Sequence, residues 1–434
     1  MIRTNVVSKR LLLRTLPGLL GLLAFTWGLA FDPSFNLVQG VRARKKDKIP
    51  NNHPNPNPAG KSATFSTQGF VDLTGEYFQA QGTNGRSCAS CHLPEEAWSI
   101  TPETLQEIFD ETGGTAPVFN VLDANNPSMD VSTPAARQAA YSMMLTKGVF
   151  RRGGTPLTTA EWELIGVDDP HGFANLGRLV HWRRVMPTIN FEIGSETVLW
   201  DGSATVAGDQ VAGLSLQAAR NVTGAQQGPP APPEVIADIV NFERSLSTAQ
   251  LIMHGVGRLD SDGARGGPEE LSKMPRVNGR FDLFDAWIGH CNPRRAQIAR
   301  GQEVFNSTNA NGRSCRGCHN TANNGTSFSN TFFDVRAASA DVRTLDLPLY
   351  TFRNKTTGET RQLTDAGRGN ITGLWSDLGK FKTPTLRALA ARAPYFHNGI
   401  APTLNDVVRH YEAQLGFVFT DQERADLIAF LNAL

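Results

Sequence analysis

The chain reads as a mainly α protein built in two halves, because one short motif occurs twice, a helical pattern precedes each copy, and a further amphipathic segment closes each half. The motif copies are Cys88-Ala89-Ser90-Cys91-His92 and Cys315-Arg316-Gly317-Cys318-His319, which take four of the chain's five cysteines. The same run stands before each, Asn84-Gly85-Arg86-Ser87 and Asn311-Gly312-Arg313-Ser314, as in a duplicated loop. The spacing suits one covalent c-type haem per string: two thiols add across the two vinyl groups of a porphyrin, and the next histidine brings a proximal nitrogen to iron. A thioredoxin-like or zinc pair is the competing reading. Zinc needs further thiol or imidazole partners at short spacing, and neither string has another Cys or His within 50 residues downstream. Two covalent haems are therefore expected, with Cys88, Cys91, Cys315 and Cys318 as attachment points and His92 and His319 as iron ligands.

The amino terminus carries Lys9, Arg10 and Arg14, an apolar run from Leu16 to Phe31, and small residues at Gly28-Leu29-Ala30. Residues 1–30 thus read as an export signal, with an uncleaved membrane anchor as the other reading; the run is short against the roughly 20 apolar residues a spanning helix needs. Residues 31–62 are first basic (Arg42, Arg44, Lys45, Lys46, Lys48) and then Asn/Pro-rich, a composition suited to a tether.

Two cytochrome c-like domains are expected next, residues 63–260 and 280–434, joined by a Gly- and Arg-rich linker over 261–279. Apolar side chains fall on one face in Gly69–Phe78 and in Arg295–Phe305, before the respective strings. Pro232–Leu246 and Thr420–Leu434 are the closing helices, with Ile236, Ile239, Val240, Phe242, Ile428, Phe430 and Leu431 as core. An apolar content of 40% and a net charge of +1 describe an ordinary globule and exclude a nucleic-acid binder. Cys291 is left over, and is expected to be buried and inert.

The stretch Phe381-Lys382-Thr383-Pro384-Thr385-Leu386-Arg387, continuing through Ala393-Pro394-Tyr395-Phe396-His397-Asn398-Gly399 to Thr403-Leu404 and Val407-Val408, resembles the carboxy-terminal signature of bacterial dihaem cytochrome c peroxidases and their MauG relatives. Met186–Asn190 and Leu199–Gly202 resemble the segment between that family's haems. The resemblance covers nearly everything from Phe65 onward. It implies peroxide chemistry at the amino-terminal haem, electron entry at the carboxy-terminal haem, and coupling through Trp200, a residue that would otherwise read as core packing.

The second iron's remaining ligand is constrained by composition, since the last of the seven methionines is Met274. The candidates after that haem string are Tyr350, Tyr395, His397, His410 and Tyr411. The resemblance favours Tyr411, eight residues after Thr403, where the peroxidases carry methionine and MauG tyrosine; otherwise Tyr411 is a helix tyrosine with its hydroxyl at the surface. At the first haem, the histidine that many family members use as a displaceable ligand is missing, the next one being His171. The site is then open, or filled by Met143, Met144, His171 or His181. Aligning on Gln217-Ala218 puts Gln227 where the family has its proton-moving glutamate, with Gln226 beside it; a polar loop is the plainer reading. The family's inter-domain calcium loses support because Val185 stands where an asparagine would bind it, while backbone carbonyls near Arg392 and Pro394 keep that assignment open.

These readings converge on a periplasmic peroxidase that reduces hydrogen peroxide with electrons from a small donor, a cytochrome c or cupredoxin. A MauG-like oxidase acting on a protein or organic substrate and a non-catalytic dihaem carrier are the other expectations.

Overall fold

A computed structural model describes residues 47–434, which fall in one compact unit. The export signal or anchor and most of the basic run, Arg42 to Lys46, lie outside the described residues. No helix among the described residues is long and apolar enough to cross a membrane.

The architecture is mixed α/β, which corrects the expectation of a mainly α protein: 33% is helix and 18% strand, in ten helices and several sheets among the described residues. Segments such as Leu246–Met253 and Leu349–Asn354 contain apolar, aromatic and β-branched residues and pair as strands. The expected helix Gly69–Phe78 does not form. Gly69 has φ +90°, Phe70–Asp72 pairs with Lys48–Pro50, and the Asp72 carboxylate accepts from the Thr74 amide (2.9 Å), leaving one 3₁₀ turn at Glu76–Phe78. Side-chain capping by Asp at a turn defeats a helical apolar spacing this short.

Part of the segment read as a tether is also built in. Asn55–Asn57 and Gly60–Ser66 join Leu246–Met253 and Gly257–Arg258 in a four-stranded antiparallel sheet, and Asn55 donates to the Pro94 carbonyl (3.2 Å). A three-stranded sheet crosses the chain's halves: Trp162–Asp168 pairs with Leu349–Asn354, which pairs with Thr360–Leu363.

The helices expected around each string are present in three of four cases. Pro293–Asn306 is capped by Asn292, whose side chain accepts from Arg294 and Arg295 amides. Asp421–Asn432 starts from a Thr420/Glu423 capping box, and Pro233–Arg244 starts with proline. Helices 293–306 and 421–432 cross so closely at Gly301 that a Cβ there would lie 1.9 Å from the Asp426 carbonyl oxygen. Their faces form one core with Phe281, Phe284, Trp287, Ile298, Phe305, Leu427 and Phe430. A second core gathers Tyr77, Phe78, Trp98, Leu214, Ile239, Val240 and Phe242. The Gly- and Arg-rich segment between the halves packs too: Leu271 is fully buried, in helix Pro268–Ser272.

Candidate haem sites

Helix Leu404–Leu415 begins with a Thr403/Asp406 capping box and ends at Gly416 in the left-handed conformation. Its inner face puts Leu404, Val408 and Tyr411 on the wall of a cavity that also exposes Cys315, Cys318 and His319. The cavity encloses about 1210 Å³ of empty space, part of it open to solvent, and its other walls include Phe305, Leu386, Leu389, Tyr395, Phe396 and Leu431. The lining is predominantly apolar, as expected of a pocket for a largely apolar ring, and the string and the helix both contribute to it.

The side-chain chemistry fits that use. His319 Nδ1 donates to the Gly325 carbonyl (2.6 Å), which fixes the tautomer and leaves the Nε2 lone pair free for a metal. Burial lowers its pKa to about 4, so the ring is neutral at ordinary pH. Burial likewise raises Cys315 to about 12 and Cys318 to about 11, keeping both as thiols, and it pushes the Tyr411 phenol well up, with the two thiols adding to the shift. His410 turns elsewhere, with Nε2 donating to the Val335 carbonyl (2.8 Å). Trp200 reaches the same cavity, its indole N–H bound to the Arg184 carbonyl (2.9 Å).

The first string is placed differently. Cys88–Ser90 forms a 3₁₀ turn, with the Ser87 amide donating to Ser90 Oγ (3.0 Å). Cys88 packs on the core around Tyr77 and Trp98. Cys91 packs on a separate cluster of Leu93, Ile100, Leu105, Tyr141 and Met144. His92 Nδ1 donates to the Trp98 carbonyl (2.9 Å), so the orientation and free Nε2 match those of His319. Burial lowers its pKa to about 4 and raises the Cys91 thiol to about 11. Arg86 anchors the turn, donating to the Pro117 (2.8 Å) and Val118 (2.6 Å) carbonyls and pairing with buried Asp123 at 2.7 Å. Both strings therefore present two apolar-bedded thiols and one oriented, neutral imidazole, a set that fits thioether attachment and axial ligation.

Gln227 is exposed, with its Oε1 accepting from Asn84 (3.3 Å). Gln226 is buried but committed: it accepts from the Gln81 amide (3.0 Å), donates to Asn221 (3.0 Å), and lies 3.9 Å from Cys88 Sγ. Met144 shares a cluster with Cys91, whereas Met143 packs with Val149 and Trp182. His171 donates to the Asp346 carbonyl (3.0 Å) and His181 pairs with Asp365 (3.1 Å). Cys291 is exposed beside His290 (3.8 Å), not buried.

Two features escaped the sequence reading. Glu243, on the helix closing the first half, is buried with Oε2 unpartnered; burial alone raises it to about 8, and its charge bears on Cys88 and Tyr77. No motif marks it, although its place one turn after Ile239 on the apolar face was visible. The second is a buried polar cluster in which Arg183 grips Asp365 through two nitrogens (2.8 and 2.9 Å) and also bonds Asp201 (2.5 Å). Burial works against the Asp365 charge, but Arg183 and His181 hold that carboxyl well below the usual range. His397 borders this cluster, stacked on Phe381 at 3.8 Å between ring centres and 6.3 Å from Trp200.

No family model matches the chain. Among curated proteins, the MauG methylamine utilization protein of Methylophilus methylotrophus is 24% identical over 420 residues, 92% of this chain and 90% of that protein. Cytochrome c peroxidase Ccp of Escherichia coli is 26% identical over 250 residues, 57% of this chain and 47% of the relative. These similarities support the dihaem cytochrome c peroxidase and MauG family for this chain. Family members vary in the extent of the match: cytochrome-c peroxidase IdrP1 of Denitromonas iodatirespirans is 42% identical, but over 69 residues, 13% of this chain and 18% of that one. The chain thus spans between a fifth and a half of the length of several peroxidase relatives it matches. A solved MauG-like protein associated with microbial copper homeostasis superposes with a TM-score of 0.40 at 16% identity, over 82% of this chain and 85% of that one; so loose a superposition carries no argument.

Proposed function

We propose that this chain is a periplasmic dihaem c-type peroxidase, reducing hydrogen peroxide to water with electrons from a small redox protein such as a cytochrome c or cupredoxin. The observation that carries the reading is the convergence of Cys315, Cys318, His319, Tyr411 and Trp200 on one apolar cavity. That set has the parts an electron-entry site would need: two thiols for attachment, an imidazole and a phenol oxygen that could bind iron, and an aromatic ring beside them. Two haems, when bound, supply the electrons that split peroxide, which takes two electrons and two protons to give two waters.

The chain's own groups then divide the work. Cys88 and Cys91 would hold the peroxidatic haem and His92 would bind its iron through Nε2, its ring angle set by the Trp98 carbonyl. Cys315 and Cys318 would hold the electron-transfer haem, and His319 and Tyr411 would be the residues that bind its iron. Trp200 would couple the sites, its ring held by the Arg184 carbonyl on one side while its own carbonyl accepts from the Lys382 amide (2.9 Å). Gln227 faces solvent, with its amide oxygen accepting from Asn84 (3.3 Å).

A MauG-like oxidation of a protein or organic substrate is the second reading. It is favoured by Tyr411 on the cavity wall, since a hard phenolate donor stabilises ferric iron and lowers the potential more than a thioether would, and by the near full-length match to MauG. Stopped-flow spectra separate the readings: the ferric protein should react promptly with one equivalent of peroxide, and catalytic consumption with a reduced small donor marks the peroxidase. Prompt reaction followed by slow decay, with no donor turnover, would mark the oxidase. Two six-coordinate low-spin haems inert to peroxide would sink both.

A further inference from the structure

Arg184 ends strand Leu179–Arg184, and its buried side chain enters a ring of backbone carbonyls. Nη1 donates to the Lys147 (3.3 Å) and Gly148 (3.2 Å) carbonyls, which terminate helix Ser142–Lys147. Nη2 donates to the Arg392 (3.2 Å) and Ala393 (3.1 Å) carbonyls, which belong to the carboxy-terminal half. Among the described residues it makes no ion pair with a carboxylate. Four carbonyl oxygens turned toward one point form the kind of oxygen cage that a hard cation uses. Here a guanidinium fills it.

Two further observations show that the space is built for that group. Gly148 sits at φ +59°, and a Cβ there would fall 1.9 Å from Nη1, so glycine leaves room for the guanidinium. The adjacent Val185 offers only a carbonyl, which accepts from Ser99 Oγ (2.7 Å), where the family resemblance calls for an asparagine amide on calcium. Calcium requires oxygen ligands at about 2.3–2.6 Å and usually a carboxylate among them; these carbonyls are engaged at N–H···O distances, and no charged oxygen donor joins them. Burial lowers the Arg184 pKa to about 10, which still leaves it protonated at neutral pH.

We propose that Arg184 is a built-in cation at this junction, standing where the family resemblance calls for calcium, so that the chain ties its two haem-string regions together without a divalent ion. The same residue fixes the inter-site geometry through its main chain, its amide donating to the His397 carbonyl (2.6 Å) and its carbonyl accepting from the Trp200 indole (2.9 Å). Arg184 is thus a positioning residue for Trp200, and a cation that cannot dissociate makes that positioning independent of calcium concentration and of chelators.

The test uses the purified haem-loaded protein and needs no turnover. Elemental analysis should find far less than one calcium per chain, and neither EGTA nor added calcium chloride should move the thermal unfolding midpoint or the haem absorption bands. Arg184→Ala should unfold several degrees lower, with low-millimolar guanidinium ion restoring part of the loss in that variant and none in wild type. Arg184→Lys, which keeps the charge but not the planar fork, should fall between. One calcium per wild-type chain, removable by chelator with a fall in midpoint, would overturn the proposal, as would an Arg184→Ala protein that melts like wild type. If Arg184→Ala does not fold, the calcium content and chelator response of the wild type decide alone, and neither depends on whether the chain acts as peroxidase or oxidase.

Discussion

The two strings share the run Asn-Gly-Arg-Ser before Cys-x-x-Cys-His, yet their arginines have opposite fates. Arg86 is buried and bound to Asp123 and to two carbonyls; Arg313 is exposed. The thiols differ in the same way. Cys315 and Cys318 open onto one large cavity, whereas Cys88 and Cys91 are divided between two packed clusters. What is constant between the copies is the histidine hydrogen bond to a carbonyl six residues on, Trp98 for His92 and Gly325 for His319. The duplicated sequence thus encodes the imidazole orientation, while the surroundings of the two copies differ.

The strongest test of that equivalence is removal of attachment points. Cys88→Ala and Cys315→Ala should each cost about one covalently bound haem per chain, because a single thioether matures poorly. Haem-stained denaturing gels and a pyridine haemochrome count read the result. A wild-type value of one haem would break the comparison at its root.

Tyr411→Phe should separate the sites next. It keeps the ring packed against Phe417 and Phe396 and removes the one oxygen donor assigned to the second iron. The low-spin ferric signal and midpoint potential of that haem should change while the first haem's stay put. His410→Ala should leave both unchanged, since its ring nitrogen is committed to the Val335 carbonyl. The reverse outcome would move the ligand by one position.

Gly301→Ala probes packing in the second half only. A methyl group 1.9 Å from the Asp426 carbonyl oxygen forces apart the helices that carry Phe305 and Leu431 to the cavity wall. Overpacking of this kind costs about 1–3 kcal/mol, occasionally more. Thermal melts followed in each haem band should show the second site loosening first.

Glu243 gives a pH signature to the first half. Its folded pKa of about 8 lies above the unfolded value near 4.3, so the folded state holds a proton that the unfolded state has released. Stability is therefore lost as pH rises from about 5 through 8, by linkage. Glu243→Gln should remove that loss, worth on the order of 3–5 kcal/mol at pH 9 and little at pH 5. Denaturant melts at the two pH values check the sign; an equal gain at both would mean that the carboxyl is paired in solution.

The two Cys-x-x-Cys-His strings were legible in the sequence because their spacing is fixed, and three of the four flanking helices were legible from apolar periodicity and capping residues such as Asn292 and Thr420. The mixed fold was not. The strand pairing of Trp162–Asp168 with Leu349–Asn354 joins segments far apart in the chain, and no local pattern names a partner. The segment Gly69–Phe78 had helical spacing, but Asp72 turned the backbone before a second turn could form. No sequence pattern sets Arg183, Arg184 and Asp365 apart from surface charges; the packed structure shows them buried and bonded.

The smallest effect is expected at Gln227, and it sharpens the contrast between aligned position and actual place. The residue aligns with a proton-moving glutamate only through an insertion, and the structure puts it on an exposed loop at φ +56°, its amide held by Asn84 beside the first string. Losing that long hydrogen bond should change stability by no more than about 0.5 kcal/mol. Gln227→Ala should therefore leave both haem spectra and the rate of the first peroxide reaction within twofold of wild type. A tenfold slowing of that reaction, with unchanged haem content, would show that the loop folds inward over the first haem and would return Gln227 to the reacting site.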